Sequence, residues 1–338
     1  MRIAIALLPV LLFIGLLRLL DSFKLVRLRA VLESIALGGL AALASTVVNR
    51  TLLEGAGFDV VAYSRYVAPL VEEFAKAFWV VLLIRRERVG FLVDAAILGF
   101  AVGAGFALVE NIDYLLQLPS AGMSLWFARG CGTAILHGAT TATFAVLSKN
   151  RHDHKRASLT FVPGIVVAIV IHSFFNHFVL PPILQALVLL ATLPPLLVFV
   201  FDRSEKTTRV WLGSEFDGEM AMLQSIVSGE VLGTRTGAYL EGLKSHFPGE
   251  VVADMLCLLQ IHLELSLRAK GLLIARAAGI EMTMGEDAVA NLKELSYLES
   301  QIGRTGLLAM KPILATSSRE LWKIRMLQDS QARSPMRR

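Results

Sequence analysis

The sequence predicts an all-α protein, a polytopic membrane helix bundle of about seven spans followed by a small helical cytoplasmic C-terminal domain. Three observations predict it. The 338 residues are 55% hydrophobic and only 18% charged, with a mean hydropathy of +0.61, whereas soluble domains carry roughly 25% charged residues. The deficit is uneven: residues 1–201 hold 16 Lys/Arg and 11 Asp/Glu, while residues 202–338 hold 17 of each. Runs of about 20 apolar residues, enough to cross a bilayer, recur through the first part and are absent from the second. The domain boundary is therefore placed at 201/202, with 1–201 a transmembrane domain and 202–338 a tail domain. A disordered chain, a coiled coil and a simple soluble enzyme are excluded.

The spans are read at 3–20, 30–48, 62–84, 90–117, 124–148, 159–180 and 182–201. The first resembles a signal peptide only in position. Arg2 alone precedes it, no small-x-small cleavage site follows it, and Arg18, Lys24, Arg27 and Arg29 lie at or beyond its end, so a retained helix is expected. Basic residues then recur after every second span: Arg85, Arg86 and Arg88 after the third, Lys149, Arg151, Lys155 and Arg156 after the fifth, Arg203, Lys206 and Arg209 after the seventh. The intervening connections carry only Arg50, and none near Pro119 or Pro181. Lys and Arg gather in cytoplasmic loops, so the expected topology is a multi-pass cell-membrane protein with its N-terminus outside and its C-terminus cytoplasmic. The pI near 9.3 comes from these short loops, and no nucleic-acid partner is expected. Cys131 and Cys257 suggest no disulfide framework. In the tail, 250–278, 288–301 and 317–328 repeat apolar residues at helical spacing.

Four successive spans carry ionisable or amide groups at lipid depth: Glu72, Glu73 and Lys76 in the third, Glu110 and Asn111 in the fourth, His137 in the fifth, His172, Asn176 and His177 in the sixth. Such groups cost about 2.5–3.5 kcal/mol each to insert, so a functional role is the default. Spacings of four put Glu72 with Lys76, His137 with Thr141, and His172 with Asn176 on shared helix faces, which makes Lys76 the expected counter-ion of Glu72. At a rise of about 1.5 Å per residue, Glu72, His137 and His172 fall at one level near mid-membrane, with Glu110 nearer the outer surface unless tilt and the glycines of its span (Gly99, Gly103, Gly105) bring it closer. Three chemistries suit this set. A Glu in low dielectric can activate water, with His sharing the proton and Asn donating to an oxyanion. Glu and His can ligate zinc. Buried acids and His can also couple protons in a transporter, although no inverted repeat supports that reading.

The motifs Glu-Glu-x-x-Lys (Glu72, Glu73, Lys76), Phe-x-x-x-Glu-Asn (Phe106, Glu110, Asn111), a His on the next span (His137) and His-x-x-x-Asn (His172, Asn176) resemble, in order and placement, those of the PrsW family of intramembrane proteases. That family is distantly related to the CAAX-protease and bacteriocin-immunity superfamily. The resemblance covers residues 30–200. It implies a peptidase that cuts a membrane-anchored protein substrate, such as an anti-sigma factor, at or within the bilayer. It further implies Glu72 as general base with Glu73 as neighbour and alternative, His137 holding water or stabilising an oxyanion, and His172 and Asn176 positioning water and oxyanion. Lys76, Glu110, Asn111 and Phe106 would support them. Glu110 takes the place of a His in the CAAX-type relatives and is read as a second carboxylate or a ligand.

No cofactor is predicted outright. Zinc is the ion these donors would suit, and if a metal is bound its ligands come from Glu72, Glu110, His137 and His172. The partners expected are the membrane-anchored substrate, the bilayer itself and a cytoplasmic partner of the tail. The alternative reading is a non-enzymatic membrane scaffold or an immunity-type protein of the same fold. Glu33, Asp113 and Arg129 are read as pairing or interfacial groups.

Overall fold

A computed structural model describes residues 1–21, 26–155, 158–278, 280, 285–314 and 327 of the chain, which is helical throughout its regular structure. It divides into two compact units, Met1–Glu205 and Lys206–Arg338. Of the basic loop residues, Lys24 and Arg156 lie outside the described residues.

The first unit contains α1 (Arg2–Leu19), α2 (Leu28–Ala56), the single turn α3 (Val60–Ala62), α4 (Ala68–Arg85), α5 (Leu92–Gln117), the short α6 (Met123–Phe127), α7 (Ala134–Lys155), α8 (Val162–Asn176) and the first part of α9 (Pro182–Val227). Segments of π-helix, Tyr63–Val67 and Ala128–Thr133, lead into α4 and α7. Among the described residues six helical stretches are long and apolar enough to cross a membrane: Arg2–Leu19, Leu28–Gly55, Leu92–Gln117, Met123–Asp153, Leu159–Asn176 and Pro182–Lys206. The remaining expected span is α4. It has 18 residues, but Glu72, Glu73, Lys76 and Arg85 leave it too charged to be recognised by apolarity.

Local chemistry sets the ends of these helices. Gly57, in the left-handed region at φ 63°, closes α2. The Asp94 carboxylate accepts the Gly90 and Phe91 amides at 2.9 and 3.1 Å and so caps α5. Pro69 sits where the π-helical segment passes into α4, and its missing N–H leaves a carbonyl of that segment without an intrahelical donor.

Helix α5 is the axis of the bundle. In its most apolar stretch 83% of residues are buried, against 22% for α1 and 18% for α9. It packs on α2 and α7 through small residues that let backbones touch. A Cβ on Gly103 would land on the His137 carbonyl, one on Gly105 on the Ile35 carbonyl, and one on Gly38 of α2 on the Val102 carbonyl. This is how helices associate where lipid removes the hydrophobic drive. Phe13, Phe100, Phe144, Ala139, Ile97, Leu193 and Leu197 fill the surrounding core. Leu12, Val47, Val170 and Phe199 point outward, as lipid-facing residues do.

In the second unit α10 (Arg235–Leu243) and α12 (Glu286–Met310) pack on α11 (Gly249–Ala277). Met255, Leu258, Leu265, Leu272, Leu292 and Leu298 form its interior. The buried Lys270 ammonium meets Glu219 at 3.0 Å, and Ser266 Oγ donates to the same carboxylate at 2.8 Å. The helix expected at 317–328 lies outside the described residues except for Leu327.

Candidate active site

The bundle brings the third, fourth, fifth and sixth expected spans together around one buried polar cluster. Glu73 is its most heavily engaged acid, with 1% of its surface exposed. Its Oε1 accepts from Lys76 Nζ at 2.5 Å, from His172 Nδ1 at 2.8 Å and from Thr140 Oγ1 at 3.2 Å. Lys76 thus pairs at three residues' spacing with Glu73, where the sequence suggested Glu72 at four. The rotation of α4 turns Glu73 and Lys76 fully inward and leaves Glu72 at the edge of the cluster.

Lys76 also reaches His137 Nδ1 at 3.0 Å and lies 4.8 Å from the centre of the Phe106 ring, which packs on His137 at 4.9 Å. With an ammonium at Nδ1, the His137 proton sits on Nε2, and Nε2 faces Glu110 Oε2 at 2.9 Å. Glu110 is held in turn by Arg129 Nη2 at 3.2 Å. Arg129 Nε donates to Asn111 Oδ1 at 2.9 Å, its guanidinium lies 3.5 Å over the Tyr114 ring, and Asn111 Nδ2 donates to the Ala6 carbonyl of α1 at 2.8 Å. Glu110 therefore joins the cluster, although its depth along α5 suggested a place nearer the surface.

Glu72 has looser company. Its Oε2 lies 3.8 Å from His172 Nε2, and its Oε1 accepts from Asn49 Nδ2 at 3.4 Å. The rings of His137 and His172 are 4.9 Å apart and perpendicular. Glu72, His137 and His172 each offer a ligand atom, all within 4.8 Å of one another. One carboxylate and two imidazoles form the donor set of many catalytic zinc sites, which keep a further position open. The Glu73–His172 hydrogen bond has the form that fixes a ligating imidazole with Nε2 free. The donor types fit a divalent metal: Glu72 and His172 each have an atom free to ligate, and His137 ligates when it gives up its contact to Lys76 or to Glu110.

Asn176 stands apart from these contacts. Its amide donates to the Ser64 carbonyl at 2.9 Å, beside Ser173 Oγ on Arg65 O at 2.6 Å, and both tie α8 to the π-helical turn before α4. His177 bonds Ser173 O and the Tyr66 hydroxyl. Glu33 is an exposed ion-pair partner of Arg29 and Arg88. Asp113 bonds Gln117. Both cysteines are free thiols.

Against known proteins, a family model described as PrsW family intramembrane metalloprotease matches residues 24–201. The chain belongs to the PrsW family. It is a multi-pass membrane protein and an intramembrane protease, and the PrsW match spans every helix that contributes to the cluster except α1. No match was found among curated proteins or among solved structures. Sequence reasoning missed Thr140, Asn49 and Tyr63. Thr140 was within reach, since it lies one turn from His137 on the same face. Asn49 and Tyr63 had no motif to flag them.

Proposed function

We propose that this PrsW-family protein hydrolyses peptide bonds of a membrane-anchored protein, of the anti-sigma-factor type that the family resemblance implies, at the Glu72–His137–His172 cluster. The observation that carries the reading is the unequal engagement of the three acids. Glu73 accepts from Lys76, His172 and Thr140, and Glu110 is engaged by Arg129 and His137. Glu72, with one long amide bond and an imidazole at 3.8 Å, is the carboxylate left to serve a reacting group.

A divalent metal, zinc by its donor types, would be held by Glu72, His137 and His172. When bound it would supply Lewis acidity toward the scissile carbonyl and make water more acidic. The chain's own residues do the rest. Glu73 orients His172 so that Nε2 faces Glu72. Lys76 holds His137 from behind. Glu110, kept in place by Arg129 beside His137, is the acid placed to pass a proton to the leaving amine. Asn176 has a second amide proton beyond the one given to Ser64, which suits it to an oxyanion at the rim. We assign the N-terminus to the outside and the tail after residue 201 to the cytoplasm, where it would engage a cytoplasmic partner.

A second reading has one observation in its favour: both His137 nitrogens are already engaged, by Lys76 and Glu110. In that reading Glu72 activates water as a general base without a metal. The experiment is cleavage of candidate membrane-anchored proteins by the purified protein in detergent, wild type against Glu72→Gln, with and without a zinc chelator. Loss of cleavage in Glu72→Gln by about 10²–10⁴-fold is expected, with chelator sensitivity. Chelator-resistant cleavage selects the second reading, and equal processing by Glu72→Gln refutes both.

A further inference from the structure

Glu72 Oε1 is held from a helix that carries none of the motif residues. Asn49, in the last turns of α2, donates its Nδ2 to Glu72 Oε1 at 3.4 Å and accepts the Tyr63 hydroxyl on Oδ1 at 2.8 Å. The order of donors is informative. An amide has two distinct ends, and a hydroxyl proton delivered to Oδ1 leaves the NH₂ end for the carboxylate. Tyr63 is itself fixed: it is 4% exposed, begins the π-helical turn before α4, and its ring packs 5.7 Å from that of Phe58. Asn49 continues the inward face of α2, four residues beyond the buried Ser45 and seven beyond Ala42, on the side where α2 packs on α4.

We infer that Asn49, oriented by Tyr63, is a positioning residue that splits the work of the Glu72 carboxylate, holding Oε1 so that Oε2 faces His172. The inference rests on the reading of Glu72 as a metal ligand given above. Partners of this kind behind a ligating carboxylate typically account for about 10–100-fold in metal affinity. The π-turn has a purpose in this arrangement. It places Tyr63 where a phenol can span from the α4 entry to α2, and segments of this kind recur at functional sites.

The test is zinc affinity of the purified full-length protein in detergent, measured by competition with a chromogenic chelator, so that no substrate is needed. Wild type is compared with Glu72→Gln, Asn49→Leu, Tyr63→Phe and the Asn49→Leu/Tyr63→Phe double variant. Asn49→Leu keeps the side-chain volume and suits lipid, and Tyr63→Phe keeps the ring, so both should retain the wild-type melting temperature closely. Asn49→Leu should bind zinc about 10–100-fold more weakly. Tyr63→Phe should show a smaller loss, and none once Asn49 is gone, because its effect passes through Asn49. If Glu72→Gln loses zinc while Asn49→Leu stays within twofold of wild type, the inference is overturned and the reading of Glu72 stands. If wild type binds zinc no more tightly than Glu72→Gln, Glu72 is not a ligand and the inference falls with that reading.

Discussion

The Glu73–Lys76 pair allows a quantitative test of how dry the cluster is. Both side chains are shielded from solvent, at 1% and 0% exposure. Lys76→Met leaves a buried carboxylate without its cation, and Glu73→Gln leaves a buried ammonium without its anion. Breaking such a pair from one side costs about 3–5 kcal/mol. The double variant differs in kind. The amide oxygen introduced by Glu73→Gln would still accept from Thr140 Oγ1 and His172 Nδ1, and no charge remains. The residual loss is the unpartnered His137 Nδ1 and the weaker neutral bonds, about 1–3 kcal/mol. The two single losses should therefore exceed the double loss by at least about 3 kcal/mol. Equilibrium unfolding in mixed micelles, run on wild type, both singles and the double, reads this coupling directly. A coupling below about 0.5 kcal/mol, the limit of ordinary additivity, would refute the reasoning, because it would mean that water screens the pair.

Other outcomes follow from the same contacts. Gly103→Val drives a side chain onto the His137 carbonyl; backbone cannot yield as a flexible side chain can, so stability should fall by about 1–3 kcal/mol or more and cleavage should be lost, as a thermal melt and a cleavage gel would record. Gly15→Ala, with open space around it, is the control and should be neutral or slightly stabilising by up to about 1 kcal/mol. Arg129→Lys keeps the charge but cannot serve Asn111 and Glu110 together as the guanidinium does; cleavage should drop by at least roughly tenfold, while a return to wild-type rates would deny Glu110 its assigned place.

Most of the fold was legible because lipid imposes a simple rule. Long apolar runs must be helices with every backbone group satisfied internally, and α1, α2, α5, α7, α8 and α9 follow from that alone. Helix α4 was read from its apolar run as well, and the charges inside that run marked it as a helix that carries the site. The rotation of each helix about its axis was not legible. Spacing of four put Lys76 beside Glu72, yet spacing of three is equally compatible with one helix face, and the packing of α4 against α7 and α8 chose Glu73. Depth counting also misplaced Glu110. Tilt and the glycines Gly99, Gly103 and Gly105 were the features able to bring it closer, and the glycine contacts do draw α5 onto the backbone of α7 at His137. Asn49 was invisible because a single amide near the end of a span has no periodicity and no partner within its own helix.

The hydrogen bond from Asn111 to the Ala6 carbonyl reaches beyond the region that carries the family's signature, which begins at residue 24. It makes the first helix the anchor of a chain that runs through Asn111, Arg129 and Glu110 to His137. Because the acceptor is a main-chain oxygen, the bond itself fixes no side-chain identity on α1, but Ala6 is fully buried and α1 lies against Gly130 there, so the position must stay small. A piece of this protein that keeps the chain from Ala6 to His137 is accordingly larger than the set of residues by which the family is recognised.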